Sequence, residues 1–260
     1  MRVGLLFPGE MGAAVAAGVR GEVLWASEGR SAATAARASG LEDVGTVAEL
    51  ARLSDVVLSV CPPGLAEDVA REVAGHGFRG LYVDANAVSP ARAERIASLF
   101  SRAVDGSITA KTGIHLFLSG DPAEVELACG LFGAPVVATP LPGGIGAASA
   151  LKMAFAGWNK IGAVLEAQAH AVARAYGLGD ALADEGVRFD RVGPSAARAW
   201  RWTAEMHEIG DTHAALGLDD GIARGAAAAL ERWTRHRDDA DVPLDRLLDE
   251  LRGLRPEGSP

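Results

Sequence analysis

The sequence predicts an α/β domain in its first half and an all-α domain in its second, joined by a long interdomain helix. Three observations carry this. From residue 1 to about 140, short apolar runs alternate with alanine-rich helical stretches, and parallel strands need such helical crossovers. Residues 145–177 then form one helical pattern without proline. Beyond them every segment has helical periodicity.

Strands are predicted at 2–7, 22–26, 55–60, 80–84, 101–105, 114–118 and 135–139, and helices at 10–19, 31–39, 46–52, 64–75, 89–99 and 121–131. The runs Asp55-Val-Val-Leu-Ser-Val60 and Leu81-Tyr-Val-Asp84 suit strands covered on both faces. The long helix opens after Pro140-Leu-Pro-Gly-Gly-Ile-Gly146 and closes at Tyr176-Gly177-Leu178. Helices at 179–188, 194–216, 219–237 and 243–253 follow, punctuated by Pro194, Leu216-Gly-Leu-Asp and Pro243. The expected domains are 1–142 and 143–254, with a polar, frayed tail at 255–260.

Composition narrows the function classes. The net charge of −9 argues against nucleic acid or an anionic membrane as partner. There is no window of about 20 apolar residues and no secretory pattern at the start, so a cytoplasmic protein is expected. The two cysteines, Cys61 and Cys129, are too few for a disulfide framework and lack metal spacing. His207 and His213 lie six residues apart, off a common helix face, and no metal is expected.

In a doubly wound sheet, ligands bind at the carboxyl ends of the strands. The first such end, Val3-Gly-Leu-Leu-Phe7 followed by Pro8-Gly9-Glu10-Met11-Gly12, has the strand–turn–helix layout of a Rossmann-type nucleotide fold. Gly9 would admit the diphosphate and Gly12 would allow close helix packing, although Phe7 stands at the first glycine of the usual pattern; an ordinary tight turn reads the same way. After the second strand, no carboxylate ends the run. Ser27, Arg30 and Ser31 suit a 2′-phosphate instead, with Glu28 dissenting, so NADP(H) is the expected cofactor and NAD the alternative.

At the third strand end, Cys61 and Pro62 turn the chain beside the expected nicotinamide ribose; Cys61 reads as a structural rather than a reactive thiol. Asn86 is placed on the nicotinamide side, ahead of a helix capped by Ser89 and Pro90. Residues 105–111, with Ser107, Ile108, Thr109 and Lys111, read as a polar loop for a substrate carboxylate or carbonyl. Lys152 stands in an otherwise apolar helical start, where an ammonium is costly unless paired or lining a cavity, and it suits a general acid/base. Lys160 reads as an ordinary surface lysine.

Together, Val3–Gly12, Val83-Asp-Ala-Asn-Ala-Val-Ser89-Pro90, Asp105-Gly-Ser107, Leu116-Phe-Leu-Ser-Gly120 and the glycine-then-Lys152 helix resemble the β-hydroxyacid dehydrogenases of the 6-phosphogluconate dehydrogenase-like superfamily. The stretch from Glu205-Met-His-Glu-Ile209 through Ala223-Arg-Gly-Ala-Ala resembles a bacterial subgroup whose helical domain has no assigned function. The resemblance implies a nicotinamide cofactor, Lys152 as the catalytic acid/base, and a homodimer formed through the helical domain. Glu205 and Thr212 would then face the partner subunit's cleft.

Departures from the family pattern matter. Phe155 and Ala156 stand where an asparagine is usual, and Phe155 and Trp158 are expected to border the substrate. Thr109-Ala110-Lys111 replaces Ser-Gly-Gly. The leading expectation is an NADP(H)-dependent oxidoreductase acting on a small hydroxy or oxo compound. An imine reductase of the same fold and a non-catalytic NADP(H)-binding protein are the alternatives. Trp200, Trp202 and Met206 read as a core or dimer-interface stripe.

Overall fold

The computed structural model describes residues 1–110 and 112–254. The chain folds into two compact units, Met1–Met153 and Ala154 onward.

In the first unit the β-branched and leucine-rich runs become strands β1 (Arg2–Leu6), β2 (Glu22–Trp25), β3 (Glu42–Asp43), β4 (Val56–Ser59), β5 (Leu81–Asp84), β6 (Ala103–Thr109), β7 (Ile114–Gly120) and β8 (Val136–Pro140). They form one eight-stranded sheet ordered β3-β2-β1-β4-β5-β6-β7-β8. Every pairing is parallel except β6 with β7. Between the strands lie α1 (Glu10–Ala16), α2 (Ala32–Arg37), α3 (Val47–Leu53), α4 (Ala66–Gly75), α5 (Pro90–Ala97) and α6 (Pro122–Gly130).

Alternation along each strand divides its side chains between two cores. Val3, Leu5, Val56, Leu58, Leu81 and Val83 pack with Val15 of α1 and Val125 of α6. On the other face Leu6, Val57 and Tyr82 pack with Leu50 of α3, Val69 of α4 and Ile96 of α5. Sequence order reverses between β1 and β4, which makes their carboxyl ends the switch point where such sheets take ligands.

Two expectations are corrected here. The segment 105–109 is strand, not loop: Val104 and Ile108 face one core while Asp105 and Ser107 alternate onto the other face, so a buried polar face mimics loop composition. The two-residue edge strand β3 is absent from the predicted elements, because it is exposed throughout and carries no apolar signal.

In the chain's next segment, α7 (Ala147–Ala156) gives way to a π-helical turn at Gly157–Ile161 and then α8 (Gly162–Ala175). The predicted long helix is thus continuous, with one π-helical turn at its middle. Arg191 donates to the Asn159 carbonyl and, at 3.2 Å, to Asn159 Oδ1, and a side chain at a ladder carbonyl is a recognised source of such distortion. The remaining helices are α9 (Gly179–Asp184), α10 (Val192–Ala215), α11 (Gly221–Glu231) and α12 (Leu244–Leu251). Buried alanines line both α10 (Ala196, Ala197, Ala199) and α11 (Ala223, Ala226, Ala227), and Met206, Ile209, Leu230, Trp233 and Leu247 are buried in the same unit. No helix among the described residues is long and apolar enough to cross a membrane.

Candidate nucleotide and catalytic site

The turn after β1 is tight. Phe7 takes a left-handed backbone angle, φ 62°, and its carbonyl accepts from Gly9 N at 2.7 Å. A Cβ at Gly12 would lie 2.5 Å from that carbonyl, so only glycine lets α1 sit against the turn. A Cβ at Gly9 would meet nothing within 4 Å, and no side chain caps α1. An open glycine backbone beside a close helix start fits a diphosphate. Glu10 opens α1, and Met11 packs against the first core.

The turn after β2 is built by Gly29, φ 70°, with Arg30 N donating to Ser27 O at 3.0 Å. The Ser27 hydroxyl is bonded to Asp43, whose carboxyl is held below its usual range by the Gly45 N–H first and Ser27 second. Ser31 caps α2, accepting from Thr34 N at 3.2 Å. Glu28 is exposed. The Arg30 guanidinium lies 3.6 Å from the centroid of the Phe7 ring, and its Nε is buried with no hydrogen-bond partner among the described residues. An orphaned guanidinium N–H at this strand end fits a phosphate.

Register aligns Ser59, Asp84, Asp105 and Ser119 across β4 to β7. These residues form a buried polar layer at the carboxyl ends of the strands. Asn86 locks two strand ends together: its Oδ1 accepts from Cys61 N at 2.6 Å, and its Nδ2 donates to Ser59 Oγ at 3.0 Å and to Asp84 Oδ1. Burial, and then the neighbouring Asp105, push the Asp84 carboxyl up to about 8. The Cys61 thiol is pushed up to about 12 by burial and Asp84, so it is no nucleophile at neutral pH. Pro62 is exposed at the head of a single helical turn, Pro63–Leu65.

Asp105 carries the amino end of α7. Its Oδ2 accepts from Gly146 N at 3.0 Å and Ser149 N at 2.9 Å, and its Oδ1 from Ser149 Oγ at 2.7 Å. Ser119 Oγ accepts from Ala148 N at 2.9 Å. One turn on, Lys152 Nζ donates to the Ile108 carbonyl at 2.7 Å, half-buried at the carboxyl end of β6. Ser107 Oγ is fully buried and unpartnered among the described residues, and Thr109 ends the strand half-buried. Lys111 lies outside the described residues, as does the expected tail at 255–260.

Phe155 and Trp158 belong to the second unit, with ring centroids 6.1 Å apart and Trp158 exposed. Lys160, expected at the surface, is buried instead and paired with Glu205, with Trp202 5.0 Å from its Nζ. Thr212 bonds its own helix, donating to Glu208 O at 2.8 Å. Lys160 lies on the π turn, where the spacing of an ordinary α-helix does not place side chains, whereas Thr212 lies on the regular helix α10. Among the described residues no group of three or more His, Cys, Asp or Glu is placed to hold a metal.

Comparison with known proteins follows the same outline. A conserved protein of unknown function, described as structurally similar to 3-hydroxyacid dehydrogenases, is 25% identical, covering 91% of this chain and 99% of its own, with a TM-score of 0.64. The 3-hydroxyisobutyrate dehydrogenase of Mycobacterium tuberculosis is 18% identical over 96% of this chain and 99% of its own, TM-score 0.69. The chain has the 3-hydroxyacid dehydrogenase fold. An imine reductase from Myxococcus stipitatus, in complex with NADP+, shares this dehydrogenase fold at 20% identity, with coverages of 95% and 100% and a TM-score of 0.53. Residues 173–233 match a family model described as a domain of unknown function, DUF1932, which lies in the helical half of the dehydrogenase fold. No curated protein matches the sequence significantly.

Sequence reading missed Asp84, Ser119 and Ser149 as parts of the candidate site, and it placed Asp105 in a loop and not at the foot of α7. A signal was present: a single carboxylate closing an otherwise apolar strand, as in Leu81-Tyr-Val-Asp84, has no reason to be there unless it is hydrogen-bonded inside.

Proposed function

We propose that the protein is an NADP(H)-dependent oxidoreductase that interconverts a small hydroxy compound and its oxo counterpart, with Lys152 as general acid/base. The observation that supports this best is the Lys152 Nζ contact to the Ile108 carbonyl, which holds an ammonium at the carboxyl end of β6, on the ligand-binding edge of the sheet. Gly9 and Gly12 are assigned to the diphosphate and Arg30 to the 2′-phosphate. When bound, the nicotinamide supplies or accepts hydride at its C4.

In the reducing direction Lys152 donates a proton to the substrate oxygen, and its positive charge stabilises the alkoxide that develops there. The neutral Ile108 carbonyl orients the ammonium without cancelling its charge. Thr109, half-buried at the strand end, offers its hydroxyl to the rest of the substrate, with buried Ser107 beneath it on the same strand face. The protein is assigned as a homodimer through its helical half.

Steady-state oxidation of NADPH over a panel of oxo acids, aldehydes and cyclic imines tests the reading. Turnover of a carbonyl substrate is expected. K152M should lower kcat by about 10²- to 10⁴-fold while leaving the NADPH Kd within about twofold. Turnover of imines alone, or an unchanged kcat in K152M, would remove the assignment.

A further inference from the structure

Phe7 stands at a position that glycine would fill without strain. A bulky residue at φ 62° is an outlier that persists only when its surroundings hold it, and such outliers gather where function needs them. Its ring packs against the second core on one side and carries the Arg30 guanidinium on the other, at 3.6 Å. Of the residues beside the expected 2′-phosphate, Ser27 is engaged with Asp43 and Ser31 with Thr34. Arg30 alone among the three keeps a buried N–H, Nε, without a partner among the described residues.

We propose that Phe7 is a positioning residue: its ring orients Arg30 toward the 2′-phosphate and so sets the preference for NADPH over NADH. A guanidinium stacked by one face on an aromatic ring keeps its edge donors in a fixed plane, the geometry that a phosphate accepts in two bonds. Without the ring the same arginine sweeps many rotamers and loses that pre-organisation. The inference rests on the nicotinamide-nucleotide reading above.

The experiment is calorimetric titration of the whole protein with NADPH and, separately, NADH, for the wild type, F7L, F7W, R30A and F7L/R30A. F7L keeps apolar bulk but has no π face. It should weaken NADPH about tenfold and leave NADH within about twofold. F7W should retain the wild-type preference. R30A should lose it, and F7L should add little on the R30A background. Should F7L fail to fold by circular dichroism, F7G, which accepts the backbone angle freely, is measured in its place. Equal weakening of both nucleotides by F7L, an unchanged NADPH affinity, or full additivity with R30A overturns the proposal while the cofactor reading stands. A wild type that binds neither nucleotide overturns both.

Discussion

Asp84 sits at the end of β5 with one oxygen accepting from Asn86 and the other, Oδ2, buried without a partner among the described residues. Its carboxyl, raised to about 8, starts near 3.9 in the unfolded chain. Between those limits the unfolded state holds fewer protons than the folded one, so stability falls as pH rises, by about 1.4 kcal/mol per pH unit for an ideal single site. Below pH 4 the group contributes nothing to the slope. D84N keeps the acceptor for Asn86 and replaces the ionisable oxygen with a donor. Its Tm should match the wild type near pH 4 and exceed it increasingly toward pH 8, as read by scanning calorimetry in matched buffers; parallel profiles would refute the account. At this scale the close packing of Gly12 was legible from residue type and spacing, and Gly9, Arg30 and Lys152 stand as candidates on the same local grounds. Asn86 was legible as important, but not that its amide is spent tying Cys61 to Ser59 and Asp84. Which partners a side chain meets across strands depends on register, and register is not local.

The helices place the site through their ends and their close approaches. In α1 the fit of Gly12 against the Phe7 carbonyl leaves no space for a methyl group, with backbone on the far side of the contact. G12A should therefore displace α1, destabilise the fold by about 1–3 kcal/mol and abolish measurable NADPH binding, checked by urea denaturation and titration together. Wild-type affinity in G12A would mean that α1 does not form the nucleotide floor. In the helical half, the π turn carries the buried Lys160–Glu205 pair. E205A removes the carboxylate paired with the buried Lys160 and should cost about 3–5 kcal/mol, whereas K160M/E205L should recover most of that loss. A small cost for E205A alone, measured by equilibrium unfolding, would show that the pair is solvated. Helix positions were legible from periodicity. The π turn was not, since the contact that accompanies it comes from Arg191, 32 residues further along the chain, bonding Asn159.

Across the whole molecule, two groups of opposite sign shape the response to pH. Asp84 and Asp105 are raised, in each case chiefly by burial, and erode stability as pH rises. Glu250 behaves in the reverse sense. Burial opposes its charge, but bonds from His236, Arg235 and Arg246 outweigh that and hold its carboxyl below the usual range. Its contribution is present above the unfolded value near 4.5 and is lost as pH falls through the folded one. A plot of Tm against pH should thus decline on both limbs. E250Q should flatten the acid limb and D84N the alkaline limb, each leaving the other unchanged; one variant altering both limbs would break this division.

The sequence by itself determined the alternation of strand and helix, the change to an all-helical half, the glycines of the first turn and the isolated lysine of α7. Those follow from burial period and backbone freedom, which act over a few residues. The tertiary structure alone decided that Asp105 and Ser119 anchor α7, that Lys152 meets Ile108, that 105–109 is strand, and that Phe7 underlies Arg30. Each of these joins residues far apart in the chain, and the pairing of strands, not the order of residues, sets which of them meet.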